Sequence, residues 1–157
     1  MAVVQDTYNT APPTGFPGQV ANGETSNRIS RTVEDAAGIP FGAPVWSTAD
    51  DRGCTATPGT AANFLGWVIA DHGQPLLPGG PAADRVPQYQ SAGIITLGTI
   101  YVTATGAVAD RAAVTVGAGA GLADGVDDIA ADATHIATGW IFDDTAAAGA
   151  IVRIARR

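Results

Sequence analysis

Residues able to move a proton or attack a substrate are few in this chain. It holds two histidines, one cysteine, four serines and no lysine. Catalysis near neutral pH needs such a group held by a partner. His72 sits in Asp71-His72-Gly73, just after an apolar run, and His135 follows Asp132-Ala133-Thr134. Both read as solvated loop histidines. No serine stands in the Gly-x-Ser-x-Gly turn that exposes a nucleophile, although triad members far apart in sequence leave no mark on spacing. Cys54 follows Arg52-Gly53, and a nearby guanidinium lowers a thiol pKa; as a lone cysteine it reads more simply as a small buried hydrophobe. Asp124, Asp127, Asp128 and Asp132 would offer oxygen ligands to calcium, but their spacing departs from the Asp-x-Asp-x-Asp-Gly order of an EF-hand loop. They read as a solvated loop. Cys-x-x-Cys and His-Glu-x-x-His zinc spacings are absent. Gly117-Ala118-Gly119-Ala120-Gly121 lacks the full phosphate-binding order and has no strong helix after it, so a loop or tight turn is expected. The inventory points to no enzyme, no metal and no cofactor.

Composition agrees. The 157 residues fit one domain, and only 15% are charged, against roughly 25% in an ordinary globular domain. The hydrophobic 46% leans on 31 alanines, while aromatics make up 6%. The core should therefore be thin. All eight basic residues are arginine and the net charge is −7, which disfavours nucleic acid as a partner because phosphate binding comes from basic side chains. The same charge favours solubility. No run approaches the roughly 20 apolar residues needed to cross a bilayer, so no membrane role is expected. Met1-Ala2-Val3-Val4-Gln5-Asp6 lacks the basic and apolar regions of a signal peptide. One cysteine allows no intramolecular disulfide, and folding in a cytoplasm is the expectation.

Such a chain would act through its surfaces, and the elements that build them are strands. All ten prolines lie at or before Pro87, leaving residues 88–157 free of them. Proline interrupts hydrogen-bonded ladders, so the C-terminal part can form continuous sheet. Residues 44–48, 64–69, 94–103, 113–116, 136–142 and 150–154 are short β-prone runs bounded by turn residues, the pattern of an all-β sandwich or barrel. The fold class expected is a small antiparallel β-sandwich or barrel, jelly-roll-like or tulip-like. A weak helical periodicity appears only around Val126–Ala133. Thr32 followed by Asp35 resembles a helix-capping arrangement, and Gly38 and Pro40 limit it to a short turn or bend. The first 30 residues, with Asp6, Glu24 and Arg28 as their only charges, read either as a disordered terminus or as an extended arm that orders against a neighbour. This gives residues 1–30 as arm and 31–157 as β domain. Gly66-Trp67-Val68-Ile69-Ala70-Asp71 and Gly139-Trp140-Ile141-Phe142-Asp143-Asp144 echo one another. Either two equivalent strands pack their Trp rings in one core, or the echo is chance in a sequence poor in residue types. Trp67, Ile95, Ile100, Tyr101, Trp140 and Ile151 are assigned to the core.

Residues 27–42, Asn27-Arg28-Ile29-Ser30-Arg31-Thr32-Val33-Glu34-Asp35-Ala36-Ala37-Gly38-Ile39-Pro40-Phe41-Gly42, resemble the opening of tailed-bacteriophage capsid cement (decoration) proteins. Tyr89-Gln90-Ser91-Ala92-Gly93-Ile94-Ile95 and the closing Ala147-Ala148-Gly149-Ala150-Ile151-Val152-Arg153-Ile154 are similar too, and the resemblance runs from about residue 20 to the end. It implies a β protein on the outer surface of an assembled phage head in the virion. Its partners would be the major capsid protein and copies of itself, a homotrimer being favoured over a dimer. It would bridge capsid subunits against internal DNA pressure. An arm pairing with a strand edge or lying in a groove would supply the contact, and a closed oligomer would multiply it. Tyr8, Phe16, Val20 and Ile29 are the expected anchors, with Arg28 and Arg31 facing an acidic capsid surface, although Val20 and Ile29 could instead pack on their own domain. Another virion β domain, of a tail or head fibre, and a carbohydrate-binding β-sandwich are the alternatives.

Overall fold

The computed structural model describes residues 15–21, 25–71, 73, 84–117 and 126–157. Apart from one 3-10 turn at Ala61–Asn63, its regular elements are strands: β1 (Asn27–Val33), β2 (Ile39–Pro40), β3 (Pro44–Ser47), β4 (Gly53–Thr55), β5 (Phe64–Val68), β6 (Arg85–Val86), β7 (Ser91–Thr103), β8 (Ala113–Gly117), β9 (Val126–Asp127), β10 (His135–Phe142) and β11 (Ile151–Arg156). Every β-prone run read from the sequence is a strand. The fold is all-β, as expected.

The strands join in the order β1-β4-β3-β5-β7-β11-β10-β8-β9, and β1 pairs with β7 as well. The second pairing closes the first five strands into a barrel, which leaves fewer open sheet edges. β7 makes this possible. Its first half, Ser91 to Leu97, pairs with β1 and β5, and its second half, Gly98 to Thr103, pairs with β11. Beyond β11 the second run ends at β9, where Val126 bridges Ala104 just after β7.

Two apolar clusters fill this frame, and three adjacent residue pairs divide between them. Val45, Val68 and Ile94 lie in one cluster; their neighbours Trp46, Trp67 and Ile95 lie in the other. Successive side chains on a strand point to opposite faces, so β3, β5 and β7 are buried on both faces where these pairs sit. Ile39 and Val86, paired across β2 and β6, add to the first cluster.

The Gly-Trp echo is a packing feature. The Trp67 and Trp140 rings meet edge to face, with centroids 6.2 Å apart and planes at 81°. Both are fully buried in the same cluster. Each follows a glycine with positive φ, 148° at Gly66 and 73° at Gly139, and each glycine lies at a register shift in its ladder. A bulge re-aims the side chain that follows it. At the second bulge the Thr138 hydroxyl donates to the Val114 carbonyl at 2.7 Å and accepts from the Trp140 amide at 3.2 Å.

Tyr101 and Ile151, assigned to the core, are only half-buried and lie in neither apolar cluster. Four further details differ from the sequence reading. Thr32 lies inside β1 and caps no helix; the Asp35 carboxylate instead accepts from the Thr55 hydroxyl and the Ala56 amide, at 2.6 and 2.7 Å. The chain then bends, and the Gly38 N–H closes the bend by donating to the Asp35 carbonyl at 2.9 Å. Around Val126 there is no helix, because β9 pairs with β8. One ladder is parallel, Thr32 to Gly53 and Val33 to Cys54, since β4 returns beside β1 after a crossover through β2 and β3. The strand β1 also runs through residue 30, and residues 18–21 hydrogen-bond to β7: Gly18 N–H to the Tyr101 carbonyl (2.8 Å), Tyr101 N–H to Gln19 (2.9 Å) and Ala21 N–H to Thr99 (2.9 Å).

The two echo glycines should differ in cost when replaced. A Cβ at Gly66 would strike the Ile95 carbonyl oxygen, whereas one at Gly139 would meet nothing nearer than Arg156 Cζ at 3.9 Å. Gly139→Ala carries backbone strain alone, roughly 1–2 kcal/mol. Gly66→Ala adds a clash with a ladder carbonyl and should destabilise more in urea unfolding; equal losses would contradict this account of the bulge.

Candidate functional site

A cleft joining a base, an acid and a nucleophile would define a catalytic site, and the reactive side chains form none among the described residues. His135 opens β10 in a tight local network. Asp132 Oδ1 accepts from the Thr134 amide (2.7 Å), the Thr134 hydroxyl (2.8 Å) and the His135 amide (2.8 Å). The His135 Nδ1 lies 3.0 Å from the Thr134 hydroxyl and 3.2 Å from the same carboxylate oxygen. Both contacts use one ring nitrogen. A relay needs the acid on one nitrogen and the nucleophile on the other, so this arrangement orders a turn and does not activate Thr134. His72 lies outside the described residues.

Cys54 is buried in the first apolar cluster, as its reading as a small hydrophobe expects. Burial, followed by the charges of Asp35 and Glu34, pushes its pKa up to about 11. The cation that opposes this is Arg31 rather than Arg52. A thiol held neutral is a poor nucleophile. Of the acidic group, Asp124 and most of the glycine run (residues 118–121) lie outside the described residues. Asp127 Oδ1 accepts from the Asp128 amide at 2.8 Å, and Asp128 Oδ2 from the Ala109 amide at 3.2 Å. The Asp127 bond is local, and the Asp128 carboxylate ties its loop to the one holding Ala109. Among the described residues no group of three or more His, Cys, Asp or Glu side chains is placed to hold a metal.

The surface is where the remaining candidates lie. Tyr8 lies outside the described residues. Val20 bridges Ile100 and packs against the larger cluster, and Ile29 packs against the other. Phe16 is 42% exposed, on a cleft of about 330 Å³ with Pro17, Pro40, Phe41, Asp84 and Thr103. On β1, Arg28 Nε donates to the Ser26 hydroxyl (3.1 Å) and Arg31 Nη1 to the Ser30 carbonyl (2.9 Å). The structure thus gathers Arg28, Ile29 and Arg31 on one strand and sets Phe16 and Val20 beside the second half of β7. Two surface residues were not singled out from the sequence as contacts. Tyr89 is 74% exposed with a left-handed φ of 63°, a conformation that is uncommon for a bulky side chain. Arg52 lines a shallow hollow with it, beside Thr32, Glu34 and Asp50. Nothing in the spacing of either residue marked it, since the crossover brings them together.

Comparison with known proteins gives one family and one fold. The profile of the family described as "Structural cement protein (E217 gp24/Pam3 gp6)" matches residues 4–157. No curated protein matches the chain in sequence. Among solved structures, a chain from the capsid of Myoviridae phage XM1 superposes with a TM-score of 0.60 at 17% identity, covering 94% of this chain and 96% of that one. That likeness is one of fold.

Two titrations should report on these placements. The hydrogen bonds from Thr134 and then from His135 hold the Asp132 carboxyl down at about 2, from its usual 3.8. A depressed folded value means the bonds stabilise the fold fully above about pH 4 and cease to do so as pH falls toward 2. Asp132→Ala should flatten that part of the acid limb in unfolding measurements, and an unchanged limb would contradict it. Cys54, raised above its usual 9.0, should resist a thiol reagent at pH 8 until the protein unfolds.

Proposed function

The chain belongs to the structural cement protein family, and from that premise we propose that it binds the outside of an assembled phage head, bridges neighbouring subunits of the major capsid protein and braces the shell against packaged DNA. The observation that carries this reading is the family match over nearly the whole chain, residues 4–157. The fold it shares with a phage capsid chain is compatible with it.

Bridging requires at least two attachment points on one rigid body. The barrel is such a body: β7 is hydrogen-bonded along both halves of its length. Residues 18–21 are tied to it, so residues 1–14, with Val3, Val4 and Tyr8, are the part of the N-terminal arm proposed to reach a neighbouring subunit. An extended segment gains backbone hydrogen bonds and side-chain pockets when it docks. A homotrimer would present three such contacts together, and linked weak contacts exceed any single affinity by about 10²–10⁴-fold when geometry lets them engage at once. Phe16, at the root of the arm, is the proposed apolar anchor on the domain side.

Purified protein mixed with expanded, undecorated heads should bind saturably, with occupancy fixed per symmetry position. Absence of saturable binding would refute the cement role. Removing residues 1–14 should weaken head binding by at least tenfold and leave the thermal transition in place, because the Gly18–Ala21 ladder is kept. Undiminished affinity would reject the arm while leaving the role intact. A longer deletion would strip that ladder and confuse the two.

A further inference from the structure

We propose that the outer edge of β1, from Arg28 to Ser30, accepts an added strand: an extended acidic segment of the shell protein. The occupant rests on the cement reading above; the open edge rests on the hydrogen bonds of β1 itself.

Alternation along β1 fixes which groups point outward. Val33 faces β7, its N–H donating to the Gln90 carbonyl (3.0 Å) and its carbonyl accepting from the Tyr89 amide (2.8 Å). Thr32 and Glu34 face the other way, their amides donating to the Arg52 carbonyl (2.8 Å) and the Cys54 carbonyl (3.1 Å). Amide and carbonyl of one residue in an antiparallel strand share a side, and the side alternates. Arg28 and Ser30 therefore also present theirs outward. The parallel partner β4 covers this edge only opposite Thr32 and Val33. Among the described residues no strand pairs with the edge at Arg28 or Ser30. The hydrogen bond made there among the described residues is that of Arg31 Nη1 to the Ser30 carbonyl.

Open edges are commonly guarded by charge, and here both guards are cationic. Arg85, Arg111, Arg153 and Arg157 each lie within 4 Å of a carboxylate, at 3.9, 3.7, 2.9 and 3.6 Å. Arg28 and Arg31, like Arg52 and Arg156, have no such partner among the described residues, in a chain with 15 acidic residues and a net charge of −7. Two acids farther along the strand are engaged by hydrogen bonds, Glu34 accepting from the Thr48 hydroxyl (2.8 Å) and Asp50 from the Arg52 amide (3.1 Å), while Asp71 lines a hollow with Arg28, Ile29 and Ser30. Arg31 Nε is also buried without a partner. An incoming strand would give an N–H to the Ser30 carbonyl and release Arg31 to meet a carboxylate. Beside Thr32, at the end of the open stretch, Tyr89 offers an exposed ring. Tyr and Arg are the residue types that anchor interfaces. Strand addition supplies affinity through main-chain bonds, and the arginines select an acidic segment.

The test uses the full chain and expanded, undecorated heads, with binding read by co-sedimentation at two salt concentrations. Ser30→Pro removes one outward donor without changing charge, and proline is tolerated where an edge N–H faces solvent. Arg28→Glu with Arg31→Glu reverses the guards. Each variant, shown folded by its thermal transition, should bind about tenfold or more weakly, and the charge reversal should also lessen the salt dependence. Should the reversal fail to fold, Arg28→Gln with Arg31→Gln takes its place. Unchanged affinity in Ser30→Pro and in the arginine variant, beside normal binding by the unaltered protein, would overturn the proposal and leave the cement role standing. Failure of the unaltered protein to bind would remove both. Self-association without heads that Ser30→Pro abolishes would show the occupant to be a second copy, and would overturn the proposal too.

Discussion

The structure depends on one strand being shared. β7 spans 13 residues and bonds to β1 and β5 in its first half and to β11 in its second. The barrel cannot close without the first set, and the second run of strands has no ladder to the barrel without the other. Adjacent Ile94 and Ile95 point into different clusters, so the strand is also where the two apolar regions meet. A strand buried on both faces must read as a continuous apolar run and must lose no amide to proline. The second condition is met throughout after Pro87, and the first where Ile94-Ile95 and Ile100-Tyr101-Val102 sit, with threonines and glycines between them.

The tryptophans show how a core poor in large side chains holds. All three indole N–H groups, of Trp46, Trp67 and Trp140, are buried without an acceptor among the described residues. An unpaired donor of this kind costs about 1–3 kcal/mol. Burying an indole removes roughly 150–250 Å² from water, about 4–6 kcal/mol at 25 cal/mol per Å². Burial wins at each position. Edge-to-face contacts add to it: Phe64 lies 5.5 Å from Trp46 and 5.8 Å from Trp67, and Trp67 meets Trp140. This chain of rings links β3, β5 and β10, which do not all pair with one another. Alanine and glycine supply the bulk of the sequence, but four rings fasten the halves together.

Much of this was legible in the sequence, for reasons that vary along the chain. Six strands announced themselves because their residues are β-branched or aromatic and bounded by turn formers. β2, β6 and β9 have two residues each, too few for any period. Gly53-Cys54-Thr55 carries no strand signal, since its pairing is imposed by the returning crossover. β1 was hidden differently. Only Ile29 and Val33 mark its inward face, with Arg31 on the same face between them, so the alternation looked polar. The Thr32 and Asp35 pair carried a local capping signal that tertiary pairing overrode: Asp35 found the Thr55 hydroxyl and the Ala56 amide instead. The echoed Gly-Trp pattern could be read only as far as shared packing; the two bulges that explain its glycines needed the registers.

Charge is the remaining thread, and it separates what the fold uses from what it leaves. Asp143 meets both Arg153 and Arg157, and Asp144 adds a second carboxylate to Arg153. These pairs brace β11 against the loop after β10. Exposed ion pairs contribute only about 0–1 kcal/mol each, so such a network orders a terminus more than it stabilises a barrel. On β1 the balance runs the other way. Arg28 and Arg31 receive local hydroxyl and carbonyl oxygens in place of carboxylates, although acidic residues outnumber arginines nearly two to one, 15 against 8. The exposed Arg28 guanidinium needs no carboxylate for the fold to hold. Arg28 and Arg31 put two cationic side chains on one short strand of an acidic molecule, and charges at a surface act on the rate and orientation of approach more than on the fold.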